Sequence, residues 1–524
     1  MTEQIFSERQ MIRQIKSYPT LILYGAGMVG ELVLSRLNAH ELKNQVVGIG
    51  VTKKGKSTQE KDRLCGVPIF EISELKEYRK NSLVMVATLP NIQKEIKSVL
   101  DQLGFENQIF MTIKLYMELG RFYMADFNQH HPINFPKSSK AKIVIMASDN
   151  NKVSGAFLCL AELCSQLQKR GIGVLAVLPH HGSGASLLIE KGIPHTYILS
   201  KDWGYPIAED HNLWSKIRFG IYLLSNYKAK KKLIHLFREN KVDLVHCNTT
   251  FTYIGAAAAK KCQIPFVWHL RENMENLGYR IFCFPKAFGL MQKSSQVIAV
   301  SDYIKGLMPF QEEQVCTIYD GVKWEEKAGF QRKRFHQKMV NMILVGTLEP
   351  HKGQKEAIVA CGILKNKNCL DFQLILVGRG EEAYIREITE MIHQLGLENQ
   401  VLLYGTRDDV FDLYNQSDIS LVCGGKEAYG RVTIESQLSG CLVIGVNSGG
   451  TCELIQDGKT GYLYQAGSGE DLAEKITKAV SEPEKSERIA AWGQEYAKEN
   501  YTSEKGIEQV IKVYEKAIKR TLFM

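Results

Sequence analysis

The sequence predicts an α/β protein built from three doubly wound, mostly parallel sheets, and three observations predict it. Short apolar runs of strand length, such as Thr20–Tyr24, Lys142–Met146 and Leu442–Val446, recur along the chain between stretches whose apolar residues have helical spacing. The runs are continuous rather than alternating, as expected of strands covered on both faces. At 524 residues the chain is too long for one core and fits about three domains. A front domain is expected over 1–127 and a polar linker with two prolines over 128–140. A second domain follows over 141–335, a third over 336–505 and a terminal helix over 506–524.

In the front domain the strand Thr20–Tyr24 runs into Gly25-Ala26-Gly27-Met28-Val29-Gly30 and then an amphipathic helix. A glycine turn between strand and helix makes Gly25, Gly27 and Gly30 a candidate nucleotide site, with a pyrophosphate expected at the helix N-terminus. The acid that should bind a ribose is missing. The next strand ends in Gly50, Val51, Thr52, Lys53 and Lys54, which lowers the case for NAD(P), although the two lysines suit either a 2′-phosphate or solvent. No Tyr-x-x-x-Lys pair is placed by this domain, so a binding, regulatory or assembly role is expected of it.

The second domain opens with Lys142–Met146 and a loop in which Ser154 and Gly155 precede a helix. Apolar runs at Val242–His246 and Pro265–His269 put His269 at the carboxyl end of a strand, the edge where open α/β sheets bind ligands. Between them Trp203 to Glu239 is basic and aromatic, with Trp214, Lys216, Arg218, Phe219, Tyr222, Tyr227, Lys228 and Lys230 to Lys232. Cations beside aromatics on a helix fit either a membrane-surface segment or a solvated face.

Composition narrows the class. Apolar content of 44% and charged content of 23% are those of a globular protein. No apolar run approaches the roughly 18 residues of a spanning helix, and the first ten residues lack a signal-peptide core, so a cytoplasmic protein is expected. None of the twelve cysteines forms a C-x-x-C pair and most sit in apolar runs, which reads as reduced, buried thiols. His130 and His131 have no partners at zinc spacing. The net charge of +9 fits nucleic acid, an anionic bilayer or anionic substrates, and its distribution has to decide; no nucleic-acid partner is expected.

The chemistry concentrates in Leu421 to Glu453, LVCGGKEAYGRVTIESQLSGCLVIGVNSGGTCE. Glu427 falls in the loop after one buried strand, and Glu435 falls on the helix that follows. Ser448-Gly449-Gly450-Thr451 then opens the next helix with small residues whose amides suit a phosphate. Upstream, Gly346-Thr347-Leu-Glu-Pro-His-Lys352 follows another strand, where the ammonium of Lys352 suits a diphosphate.

Glu427-Ala-Tyr-Gly430-Arg431-Val-Thr-Ile-Glu435 resembles the E-x(7)-E signature of retaining, nucleotide-sugar-dependent glycosyltransferases of the GT-B fold, family four. Gly449-Gly450, Glu453 and Asp457-Gly458-Lys459-Thr460-Gly461 continue that family's pattern in order. The resemblance implies that the second and third domains face each other across a cleft, with the C-terminal helix crossing back. It implies a nucleotide-sugar donor, UDP-sugar first among them. Glu427 and His269 would then lie near the transferred sugar, Glu435 on the ribose, Lys352 and the glycine amides on the diphosphate, and Ser154-Gly155 in the cleft. It further implies retention, a glycan or lipid-linked acceptor and a place in surface-polysaccharide or cell-wall glycan assembly, at the inner face of the membrane or free of it; a homo-oligomer is left open.

The family usually has Arg at Thr347 and Asn at Asp320; Arg431 or Arg379 is the expected substitute for the missing arginine. No D-x-D occurs, so no bound metal is called for. Two rivals remain, a non-catalytic partner or scaffold with a decayed donor site, and a transferase fused to an NAD(P)-dependent oxidoreductase.

Overall fold

The computed structural model describes residues 2–53, 62–324, 334–335, 339–367, 370–407, 409–519 and 521–522. Lys54 and the expected domain boundary at residue 336 lie outside them. Three sheets of mainly parallel strands with helical crossovers make this an α/β fold, as the continuous apolar runs require. The chain divides into two compact units. One comprises Met1–Asn134, Asp149–Phe157 and Leu175–Ser200, and the other Phe135–Ser148, Leu158–Val174 and Lys201–Met524.

In the first unit the strand order is Thr2–Ile5, Gln108–Met111, Ser82–Val86, Thr20–Tyr24, Val46–Val51, Val67–Glu71, Arg63–Leu64, parallel except at the last pair. The start of the chain adds an edge strand at Thr2–Ile5, and a helix begins at Glu8 with Ser7 as its N-cap. The helix Ile113–His130 continues into the expected linker. Asn128 explains the extension, because its side chain donates to the Tyr197 carbonyl and accepts from the Tyr197 N–H and the Thr196 hydroxyl.

The second unit holds two large sheets and a small antiparallel pair, Gly204–Pro206 with Tyr279–Ile281. The first runs Lys142–Met146, Leu244–Cys247, Phe266–Leu270, Gln296–Ala299, Val315–Thr317, all parallel. The other runs Val401–Gly405, Asp371–Val377, Met339–Val345, Ile419–Val422, Leu442–Val446, Tyr462–Tyr464, also all parallel. Its two faces pack as separate cores, with Leu344, Leu374, Leu376, Ile419, Leu421 and Ile444 on one and Ile343, Ile375 and Val377, packed on Leu413 and Tyr414, on the other. Chain order reverses between Met339–Val345 and Ile419–Val422, so the loops after these strands diverge and leave a crevice at their carboxyl ends. The terminal helix Ser503–Ile518 returns to the first of these sheets, where the Tyr514 hydroxyl meets His246 Nδ1 at 2.7 Å.

Candidate active site

Two loops flank that crevice. After Met339–Val345 the chain turns at Gly346 (φ +157°) and Thr347, and a short 3₁₀ turn, Pro350–Lys352, ends at Gly353. Gly353 has φ +73°, and a Cβ there would lie 2.3 Å from the Cys423 carbonyl oxygen, so only glycine lets the two loops touch. After Ile419–Val422, Gly424 and Gly425 lead to Glu427. Lys352 Nζ donates to Glu427 Oε1 at 2.5 Å, joining the loops by an ion pair whose side chains remain about one-quarter exposed (26% and 20%). Thr347 lies alongside, its carbonyl held by the Gln354 side chain.

Gly449 and Gly450 close the far side. A Cβ on Gly449 (φ +61°) would stand 2.6 Å from the Glu427 carbonyl oxygen, and one on Gly450 2.8 Å from Ala428 oxygen. The Gly450 N–H donates to the Glu427 carbonyl at 2.8 Å. The amide expected to face a phosphate is therefore committed to positioning the glutamate loop. The helix expected after Ser448 is only a 3₁₀ turn, Gly449–Glu453, with Thr451 buried inside it and packed near Gly430.

Gly430, at φ +92°, reverses the chain into the helix Arg431–Leu438. Arg431 and Glu435 lie one turn apart at 3.5 Å, and Arg431 Nη1 reaches Cys159 Sγ at 3.1 Å. Burial raises the Glu435 carboxyl above its ordinary range, and Arg431 pulls it part of the way back. Arg431 is thus engaged with a thiol and a carboxylate. Arg379 is exposed and contributes its carbonyl to Leu348.

From the other sheet, His269 is the next-to-last residue of its strand, with its ring turned inward and 1% exposed. Arg271 Nη2 meets His269 Nδ1 at 3.1 Å. A guanidinium only donates, so Nδ1 accepts and the proton sits on Nε2, which is buried without a partner. Burial first, and the Arg271 charge second, hold this histidine well below its ordinary pKa, so it is neutral. The sequence offered the ring as a cleft group, but in the fold it faces a small cavity lined by Cys159, Arg271, Tyr319 and Asp320.

Sequence reasoning passed over Arg271. Its Nε donates to the Asn248 carbonyl and its Nη1 to Asp320, the residue that stands where the resembled family has Asn. An acid in place of an amide asks for a buried cation, and an arginine two residues past His269 was the available signal. Tyr429 and Glu453 were also missed as contacts. The Tyr429 hydroxyl donates to the Asp320 carbonyl at 2.6 Å. Glu453 accepts from the Asp302 and Tyr303 amides and the Tyr319 hydroxyl, while Ser301 donates to the Ala428 carbonyl. These bonds pin the edge of one sheet to the glutamate loop of the other.

The other candidates lie in the first unit. Ser154 and Gly155 open the helix Gly155–Lys169, and their loop belongs to the first unit. Gly25 and Gly30 are required by packing: their missing Cβ atoms would lie 2.8 Å from Ala87 oxygen and 2.3 Å from Gly25 oxygen. A Cβ on Gly27 would meet nothing within 4 Å. Where a ribose acid is wanted, Thr52 bonds the Tyr24 hydroxyl instead. None of the described residues at that strand end, Gly50 to Lys53, is an acid. Among the described residues no three His, Cys, Asp or Glu side chains gather as a metal site, and no helix is long and apolar enough to cross a membrane. The eleven cysteines among them are free thiols.

Residues 326–496 match the family model described as Glycosyl transferases group 1, and residues 153–325 the model described as Glycosyltransferase Family 4. N-acetyl-alpha-D-glucosaminyl L-malate synthase of Bacillus anthracis is 32% identical over 145 residues, 28% of this chain and only 38% of that protein. The capsular polysaccharide biosynthesis glycosyltransferase CapM of Staphylococcus aureus is 23% identical over 324 residues, 57% of this chain and 84% of that one. The crystal structure of Anabaena HepE with UDP and glucose covers 71% of this chain and 98% of its own, with a TM-score of 0.58 at 23% identity, a likeness of fold. With both halves matched in order and the fold shared, the chain over residues 153–496 belongs to the group 1 glycosyltransferases of the GT-B fold.

Proposed function

We propose that the protein is a retaining, metal-independent glycosyltransferase that moves a hexose from a nucleotide-sugar donor, a UDP-sugar first, to a glycan or lipid-linked acceptor in surface-polysaccharide or cell-wall glycan assembly. The observation that carries the reading is the Lys352–Glu427 pair, formed by the two loops at the switch point of the Met339–Tyr464 sheet. Each group is half of what sugar–phosphate cleavage needs. Negative charge grows on the departing diphosphate, and a fixed ammonium offsets it without solvent reorganisation. Positive charge grows on the sugar, and a carboxylate beside it does the same. In the resting protein the two neutralise one another; a donor slides between them, Lys352 turning to the diphosphate and Glu427 to the sugar.

Glu435 accepts from the ribose hydroxyls, its side chain 19% exposed beside Arg431. Gly346, Thr347, Gly430, Gly449, Gly450 and Thr451 shape the floor, and Arg431 holds Glu435 in place. His269 supports the sugar side through its strand end, with Arg271 fixing its tautomer. Residues 1–127 serve binding, regulation or assembly rather than a second reaction. Domain limits of 141–335 and 336–505, with 506–524 returning, follow the same reading, as does a location at the inner face of the membrane. UDP bound to HepE and the polysaccharide role in CapM's name support the donor and pathway class.

Purified protein incubated with a panel of UDP-, GDP- and dTDP-sugars tests this. Slow hydrolysis of one donor is expected, abolished in Glu427→Ala with an unchanged unfolding midpoint. Undiminished turnover in that variant refutes the assigned role, and no binding of any nucleotide sugar by the wild type favours the scaffold reading.

A further inference from the structure

The helix Leu213–Leu224 is inside out. At 100° per residue, Leu213, Trp214, Ile217, Ile221 and Leu224 fall within an arc of about 100° on one side. That side faces solvent: Trp214 is 75% exposed, Leu224 72%, Leu213 69% and Ile221 62%. The opposite side is anchored. Phe219 packs against Tyr205 and Phe282 with ring centroids 5.1 Å apart in each case, Asn212 caps the first turn, and Lys216 pairs with Asp210 at 3.0 Å. The helix is thus held on the fold by its polar and aromatic side while five large apolar groups are left in water. Single exposed leucines need no explanation, but a contiguous apolar face on an anchored helix does.

Charge chooses the occupant. From Leu213 to Arg238 there are seven Lys and Arg residues and no Asp or Glu. Ser225 caps both this helix and the next, Asn226–Glu239, so the exposed Tyr227, Lys228, Lys231 and Lys232 follow within two turns. The neighbouring helix Ile254–Cys262 packs on that one and extends the same charge. There Lys293, and more weakly Lys230, hold the Lys260 ammonium below its ordinary range. A second copy of the chain docked by a two-fold axis would bring these cations against their own kind. An anionic bilayer matches both features, with acyl chains for the apolar arc, headgroups for the lysines, and Trp214 and Tyr227 at the boundary that amphipathic rings prefer.

We propose that the Leu213–Leu224 helix lies in the plane of an anionic membrane surface with Leu213, Trp214, Ile217, Ile221 and Leu224 immersed, and that the cations following it bind the headgroups. The assignment sharpens the membrane location in the functional reading but does not rest on transferase chemistry, since its test reads lipid binding and not turnover.

Full-length protein is floated with vesicles of phosphatidylcholine alone, or of phosphatidylcholine and phosphatidylglycerol in equal parts. The wild type is expected to float only with the anionic vesicles, and less as salt rises. Ile221→Ser/Leu224→Ser is expected to reduce binding about tenfold or more, on the scale of two apolar side chains withdrawn from lipid, without lowering the unfolding midpoint, because neither residue is in the core. Lys228→Glu/Lys231→Glu should do the same and abolish the salt dependence that remains. Quenching by bromine-labelled lipid should fall in Trp214→Phe. The proposal is overturned if the wild type does not float, if it floats equally on neutral vesicles, or if the serine variant floats undiminished. A wild-type dimer in solution that the serine variant dissociates, with no flotation of either, assigns the face to a second copy instead.

Discussion

The exchange of Asp for Asn at position 320 is the sharpest test of how this site is held. Arg271 has a side chain 5% exposed and Asp320 one 15% exposed, so their ion pair is largely removed from water. Asp320→Ala leaves the guanidinium with its bonds to the Asn248 carbonyl and His269 Nδ1 but without the carboxylate it is paired with. Stripping one partner from a buried pair costs about 3–5 kcal/mol. Asp320→Asn keeps an acceptor oxygen and loses only the charge, which places it lower, at about 1–3 kcal/mol. If the penalty is the orphaned cation, Arg271→Met combined with Asp320→Asn should be less damaging than the two single changes added together, with a coupling of about 1–3 kcal/mol. The assay is urea unfolding followed by tryptophan fluorescence. All five tryptophans lie in the second unit, so the signal reports that unit alone. A cost below about 1 kcal/mol for Asp320→Ala, or strict additivity in the double variant, refutes the claim that this pair is a buried electrostatic clamp.

Two further outcomes follow from the geometry. Gly449→Ala should destabilise the second unit by about 2–5 kcal/mol, combining a left-handed backbone with an overlap on the Glu427 loop. Gly27→Ala, with open space around it and an ordinary φ, should stay within about 0.5 kcal/mol, and urea midpoints compare the two. Burial pushes His246 down to about 3, and the Arg271 charge adds to this. Between the unfolded value near 6.5 and that folded value the unfolded chain holds a proton the folded one lacks. Stability is complete above this window and falls with pH inside it, by about 1.4 kcal/mol per unit for this one group. Glu272, pushed up to about 7 by burial, acts in the opposite sense from about pH 7 to 4.5. His246→Asn should therefore flatten the acid side of the stability profile between pH 6.5 and 5, and identical slopes in the two proteins would contradict the assignment.

What could be read from the residues was whatever is local. Continuous apolar runs gave most of the parallel strands to within a few residues, because a strand covered on both faces has no room for polar side chains. Glu427, Glu435 and Lys352 were legible because each sits a few positions from a strand end, and strand ends of one sheet converge wherever chain order reverses. The edge strand Thr2–Ile5 was not legible. Its partner lies more than a hundred residues away, and four residues ahead of a helix carry no period of their own.

The sequence by itself determined the α/β class, the loops that carry Glu427 and Lys352, and the helix that carries Glu435. Only the tertiary structure decided who holds whom. Arg271 and Asp320 meet across 49 residues, Arg431 and Cys159 across 272, and Tyr514 and His246 across 268. It also turned His269 inward, committed the Gly450 amide to Glu427, and put the apolar side of Leu213–Leu224 in solvent. Periodicity along a chain says that a helix has two faces; which of them is covered depends on what the rest of the fold brings against it.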